Sequence, residues 1–258
     1  TNNTFINIVG TGSSVIAIFN NANLSLINIT NCTTGIRLWG GDNIGIWNST
    51  ITNCTKDFLF TGSTNNTELY NVSFNKSNVF FSNTNSFMEV FYQYRTNVTN
   101  QNYAALSSAS VDIKDALGAT IGSTRTTDGT GLTPAEWIME YNQTRNANYS
   151  LGCTGSTSYI TCSTPHNVTA SKTSYSTNST NVTINDNMIS QLTLYSPYIL
   201  SYVPTTDNFS IAEPSNQTFS ISYVNTTPVT IRWFVNGTEK TAYINNSQFI
   251  WGGNYSQN

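Results

Sequence analysis

Residues 23–38 read NLSLINITNCTTGIRL, and the ITNCT at Ile29–Thr33 returns as ITNCT at Ile51–Thr55. Apolar residues come in runs of one to three, broken by Asn, Thr and Gly. That pattern is too short for helical turns and fits brief strands joined at corners. Outward from this stretch the same period governs residues 1–86. One register links Ile6-Asn7, Ile27-Asn28, Trp47-Asn48 and Tyr70-Asn71. Another links VIAIF at Val15, GIRLW at Gly35, FLF at Phe58 and VFF at Val79. A repeat of about 21 residues suits one coil of a right-handed parallel β-helix, whose coils stack about 4.8 Å apart. Stacking predicts that Leu24, Leu26, Ile29, Ile36 and Leu38 sit on Ile44, Ile46, Ile51, Phe58 and Phe60 of the next coil. Asn at a recurring corner bonds to its neighbours above and below and tolerates left-handed backbone.

NLSLINITNCTTGIRL resembles the parallel β-helix repeat family, which includes polysaccharide-degrading enzymes and many microbial surface proteins. Asn28, Asn48 and Asn71 carry two readings, as ladder side chains and as acceptors of N-linked glycans, and the ladder is preferred here. Cys32 and Cys54 fall one coil apart, placed either for a disulfide or as small core residues.

From Phe87 the pattern becomes antiparallel in character. MEVFYQYRTNV alternates as a half-buried strand does, and short strands follow between Gly, Asp and Asn turns. The order of VDIKDALGATIGSTRTTDGTG, a Trp-bearing strand and VTASKTSYSTNSTNVTI resembles carboxypeptidase-regulatory-like β-sandwich domains, assigned to 87–196. In 197–258, VTIRWFVNGTEK looks like strand C of an immunoglobulin-like domain. Trp233 would face the core and Asn236-Gly237 would form a type I′ turn. Sixty-two residues are fewer than the roughly 100 of such a sandwich. Either the chain is a fragment or a neighbouring subunit donates a strand.

The 258 residues carry 9% charged side chains and a net charge of −3, against roughly 25% charged in ordinary domains. Asn (37), Thr (40) and Ser (30) fill the gap. Without a basic stripe the chain is not read as a nucleic-acid binder. It contains no apolar run long enough to span a bilayer as a helix. Asn-x-Ser/Thr occurs 21 times, about twice what chance placement of these residues gives. The excess implies export and N-glycans, which would supply the solubility that few charges provide. The glycan acceptors are read at Asn2, Asn23, Asn31, Asn53, Asn65, Asn75, Asn97, Asn142, Asn148, Asn167, Asn178 and Asn181. The series continues with Asn208, Asn216, Asn225, Asn236, Asn245 and Asn254. Cys153 and Cys162 bracket LGCTGSTSYITCS and are expected to pair.

Little points to catalysis. His166 is the single histidine, in a loop entering a strand. The carboxylates noted on the coils are Asp42, Asp57 and Glu68, at non-equivalent corners, and Arg37 with Asp57 reads as a surface ion pair. Turn aspartates Asp128 and Asp186 admit structural calcium, although turn chemistry alone accounts for both. Aromatic clusters at Phe80-Phe81 and Phe91-Tyr92-Tyr94 suit either cross-strand packing or sugar binding. The expectation is an all-β, extracellular cell-surface protein: a short parallel β-helix followed by two β-sandwich (Ig-like) modules, the last incomplete. It resembles archaeal S-layer-type proteins and would assemble with copies of itself into a layer, sheath or filament, without cofactor or enzymatic activity. The alternative is an adhesin or carbohydrate-binding module; a polysaccharide-degrading enzyme ranks below both.

Overall fold

The computed structural model describes residues 2–4, 8–9, 14–19, 21–146, 149, 153 and 159–196, then strands 198–203, 217–224, 234–235, 238–239 and 248–251. For 2–4, 8–9 and the strands after 197 the backbone path is described. The expectations for Asn148, Asn208, Asn216, Asn225, Trp233, Asn236-Gly237, Asn245 and Asn254 lie outside the described residues, as does the side chain of Asn2.

The solenoid is built from β1 (Asn2–Thr4), β2 (Ile8–Val9), β3 (Ile16–Ile18), β4 (Asn23–Ser25), β5 (Asn28–Thr30) and β6 (Thr34–Leu38). It continues through β7 (Gly41–Thr52), β8 (Lys56–Phe60), β9 (Thr64–Ser73), a 3-10 turn at Lys76–Asn78 and β10 (Val79–Phe81). Every pairing among these strands is parallel: β1-β4-β7-β9, β2-β5-β7 and β3-β6-β8-β10. Parallel neighbours one coil apart make a β-solenoid of about three turns. Inside it the apolar residues form columns: Leu24, Ile46, Leu69 and Val90; Ile36, Phe58 and Val79; Leu38, Phe60 and Phe81. All are buried.

Corners are cut by left-handed residues. Asn31 and Asn53 (φ 55° each), Asn43 and Asn66 (56° and 60°), and Asn48 and Asn71 (47° and 54°) occupy equivalent positions in successive coils. Asn reaches this region more cheaply than other side chains because its short amide bonds locally. Coils also touch closely. A Cβ on Gly62 would lie 1.6 Å from the Trp39 carbonyl oxygen, so only glycine passes there.

The expected register needs correction at one corner. Leu24 lies on Ile46, not Ile44, and Leu26 turns outward, 54% exposed, at φ 57°. It occupies the left-handed corner below Asn48, where its N–H donates to the Trp47 carbonyl at 3.1 Å. Ile27 therefore meets Ser49, whose hydroxyl accepts from the Ile27 N–H (3.1 Å), and Asn28 pairs with Thr50. Asn28 is thus out of line with Asn48. Asn71 donates to Asn48 (2.8 Å), and a ladder absent from the expectation joins Asn66 to Asn43 (2.9 Å). Asn48 and Asn43 are exposed, so these ladders run along the outside of the corners.

Beyond the solenoid come β11 (Met88–Asn100), β12 (Ser110–Lys114), β13 (Arg125–Thr126), β14 (Glu136–Gln143), β15 (Ile160–Cys162), β16 (His166–Ser171), β17 (Asn178–Val182) and β18 (Met188–Leu194). β11 belongs to both regions. Its residues 88–91 pair parallel with 67–70 of β9, and residues 94–100 pair parallel with β18 along the same edge. Its other edge takes β14 antiparallel, with a bulge between Val90 and Phe91. A second sheet runs β13-β12-β16-β17. Val98, Val111, Ile113, Ile138, Val168, Ala170, Leu192 and Leu194 are buried in the same apolar cluster as the solenoid columns. The boundary expected between 86 and 87 therefore falls just before a strand that serves both sides of it. The remaining strands are β19 (Tyr198–Val203), β20 (Gln217–Val224), β21 (Phe234–Val235), β22 (Thr238–Glu239) and β23 (Gln248–Trp251), paired antiparallel as β19-β20-β23 and β21-β22.

Candidate functional site

The outward surface of the β4-β7-β9-β11 sheet gathers the chemistry. In a strand alternate residues face opposite ways, so the residues flanking the buried Leu24-Ile46-Leu69-Val90 column point out. They form two rows: Asn23, Gly45, Glu68 and Glu89, and Ser25, Trp47, Tyr70 and Phe91. The aromatic row is a continuous stack. Trp47 and Tyr70 lie 3.8 Å apart at 10°, and Tyr70 and Phe91 lie 4.9 Å apart at 17°. Trp137 meets Trp47 and Tyr70 edge-on at 5.7 and 5.1 Å. The Tyr70 hydroxyl donates to Glu68 at 3.0 Å. Burial, with the Glu68 charge beside it, raises the Glu89 pKa above the usual carboxylate value.

The stack stops at Trp47, because the position one coil earlier is Ser25. Over the indole opens a cavity of about 290 Å³ lined by Asn23, Leu24, Ser25 and Trp47. Gly45 makes room for its walls: a Cβ there would lie 2.6 Å from Asn23 Oδ1 and 2.8 Å from Trp47 Nε1. The repeat pattern alone puts Ile27 below Trp47, where the structure has Ser25, and so conceals this opening. Trp47, Trp137 and Glu89 carry no motif that marks them as surface residues, and only the strand register brings them onto this face. In the aromatic clusters evident from the sequence, Tyr92, Tyr94 and Phe81 are core residues, while Phe91 and Phe80 are half-buried.

Arg37 and Asp57 do not pair. Arg37 lies over the Trp39 ring at 4.1 Å, on the exposed Phe19–Trp39 stack. Asp57 is buried at 1% exposure beside a groove with Asn53, Phe74, Asn75 and Asn78. Its Oδ2 accepts from the Asn75 N–H at 2.6 Å. Burial raises its pKa to about 6, against the opposing hydrogen bonds from Asn75 and Asn78. Gly35, not Arg37, is the residue one coil below it: a Cβ on Gly35 would lie 2.7 Å from the Asp57 carbonyl oxygen.

A buried ion pair joins the last coil to the next region. Lys76 Nζ reaches both Glu140 oxygens at 2.6 Å, and Tyr149 donates its hydroxyl to the same carboxylate. The rings of Tyr92, Tyr141 and Tyr149 surround the ammonium at 5.2–5.9 Å. Burial pushes the Glu140 pKa up while Lys76 and Tyr149 pull it back. Nearby, Asn146 accepts from the Phe81 N–H (2.5 Å) and donates to the Phe81 carbonyl (2.9 Å), acting as one more strand on β10.

The other residues singled out from the sequence are scattered. His166 begins β16 and is fully buried. Burial holds its pKa down to about 4, with Asp115 and the Met139 backbone offsetting only part of that. Asp128 Oδ1 accepts from the Thr130 N–H and hydroxyl and the Leu132 N–H, closing its own turn. Asp186 accepts from the Asn187 N–H. Disulfides join Cys32 to Cys54 and Cys153 to Cys162, with Cα separations of 4.4 and 5.5 Å. Among sequon asparagines, Asn23, Asn31, Asn53, Asn65, Asn75 and Asn181 are exposed, whereas Asn97, Asn142, Asn167 and Asn178 are half-buried. Asn167 and Asn178 use their amide nitrogens to reach Asn181 and the Thr193 carbonyl. Among the described residues no helix is long and apolar enough to cross a membrane. No family model matches this sequence, and no curated protein matches it.

Proposed function

We propose that this is an extracellular structural protein, N-glycosylated and resembling archaeal S-layer-type proteins, that packs with copies of itself into a layer, sheath or filament. The two sheets over 88–194 are read as a carboxypeptidase-regulatory-like sandwich and the strands after 197 as an immunoglobulin-like unit. The single observation carrying self-association is the Phe19–Trp39 pair. These two rings are 62% and 45% exposed and stack 5.8 Å apart on the solenoid flank. Aromatic residues are enriched at protein contacts, and exposed apolar patches mark interaction surfaces. A solenoid whose coils carry outward amide corners, exposed sequons and the Cys32–Cys54 disulfide, with a second disulfide at Cys153–Cys162 beyond it, fits life outside the cell.

Electron microscopy of the purified full chain is expected to reveal ordered polymers that disappear in the Phe19→Ser/Trp39→Ser variant. Monodisperse particles under all conditions would remove the assembly reading. Intact-mass comparison before and after deglycosylation of protein from its native host is expected to show several occupied sequons. An unchanged mass would remove the glycoprotein reading.

A further inference from the structure

We infer that the cavity over Trp47 is a binding site for one pyranose ring of a neutral saccharide, a role that goes beyond self-assembly and does not depend on it. The row Trp47-Tyr70-Phe91 is a stack with one vacancy. One indole face is covered by Tyr70 at 3.8 Å, while the other looks onto Ser25, the small residue one coil away. A flat, weakly polar ring entering there becomes the next layer.

At about 290 Å³ the slot sits at the lower edge of the roughly 300–1,000 Å³ typical of small-ligand sites, which favours a single ring. Two polar side chains among its described lining, the Asn23 amide and the Ser25 hydroxyl, can donate and accept as sugar hydroxyls require. Charge decides the class. Among the described residues the lining contains no cation, and the outward row that starts at Asn23 runs on across the sheet to Glu68 and Glu89. A uronate, sulfate or nucleotide phosphate would approach a surface whose nearest charges are negative, whereas a neutral ring meets no such repulsion. The indole is already clamped by Tyr70 and Trp137, so little side-chain ordering opposes binding.

The test uses the full chain produced with its disulfides formed in a host that does not N-glycosylate, leaving Asn23 bare. It is titrated with chitohexaose, cellohexaose, mannohexaose and xylohexaose, with oligogalacturonate as the anionic control. The Trp47 indole N–H resonance, assigned by its loss in Trp47→Phe, reports occupancy. At least one neutral oligomer should shift that resonance, and oligogalacturonate should not. Ser25→Phe, which fills the vacancy from within, should weaken binding at least about tenfold while the thermal transition is retained. If Ser25→Phe does not fold, the resonance shift alone decides. The inference is overturned if no neutral oligomer moves the Trp47 signal, if oligogalacturonate binds equally well, or if folded Ser25→Phe binds like the parent. Binding that vanishes once Asn23 carries a glycan would give the slot to the chain's own sugar and would also overturn it.

Discussion

Two buried titratable side chains pull the stability of this protein in opposite directions with pH. Asp57 has its carboxyl raised to about 6 from 3.8 by burial, so the folded state holds a proton that the unfolded chain has released. Its contribution is intact below about pH 4 and is lost as pH rises toward 6. His166 is depressed to about 4 from 6.5. Its contribution is intact above pH 6.5 and is lost as pH falls toward 4, because the unfolded imidazole takes up the proton first. Over pH 4–6 the two slopes partly cancel in the parent chain. Asp57→Asn keeps an acceptor for the Asn75 N–H and should gain about 1–2 kcal/mol at pH 7. His166→Phe should gain a similar amount, about 1–2 kcal/mol, at pH 5 and little at pH 7. Urea melts at half-unit pH intervals would reveal the two slopes separately. A parallel offset at all pH values in either variant would contradict its assignment.

At the scale of elements, the last coil is fastened to β14 by Lys76 and Glu140. Lys76→Met leaves a buried carboxylate without its cation and should cost about 3–5 kcal/mol, whereas Lys76→Met/Glu140→Leu should recover most of that loss. Denaturant midpoints of the single and double variants at pH 7 check the sign of the coupling. The solenoid itself was legible in the sequence. Each coil repeats Asn at a corner and apolar residues at fixed offsets, and Cys32 and Cys54 bridge adjacent coils as the spacing permitted. The register was legible only in part. Leu26 looks like a core residue in the pattern, yet the left-handed corner turns it outward, moving Trp47 from Ile27 to Ser25. The slot depends on that displacement, which no count of apolar residues reveals. Phe91-Tyr92-Tyr94 likewise reads as one cluster, although the strand sends Tyr92 and Tyr94 into the core and leaves Phe91 on the opposite face. The aromatic row becomes visible only when residues 47, 70 and 91 are laid side by side.

At the scale of the whole molecule, the solenoid and the two sheets over 88–194 act as a single body, because β11 is the last rung of one and a central strand of the other. The pairing of Tyr94 with Met188 spans most of the intervening region. Sequence pattern could mark where strands change character but could not announce that one of them is shared. This sharing governs how the molecule can be divided. A piece ending at residue 86 would bare the Leu69 column, and a piece beginning at 101 would strip β14 and β18 of their common neighbour. Neither half should be expressed alone. Fragments for crystallisation or domain swapping would have to overlap through 88–100, with each carrying its own copy of that segment.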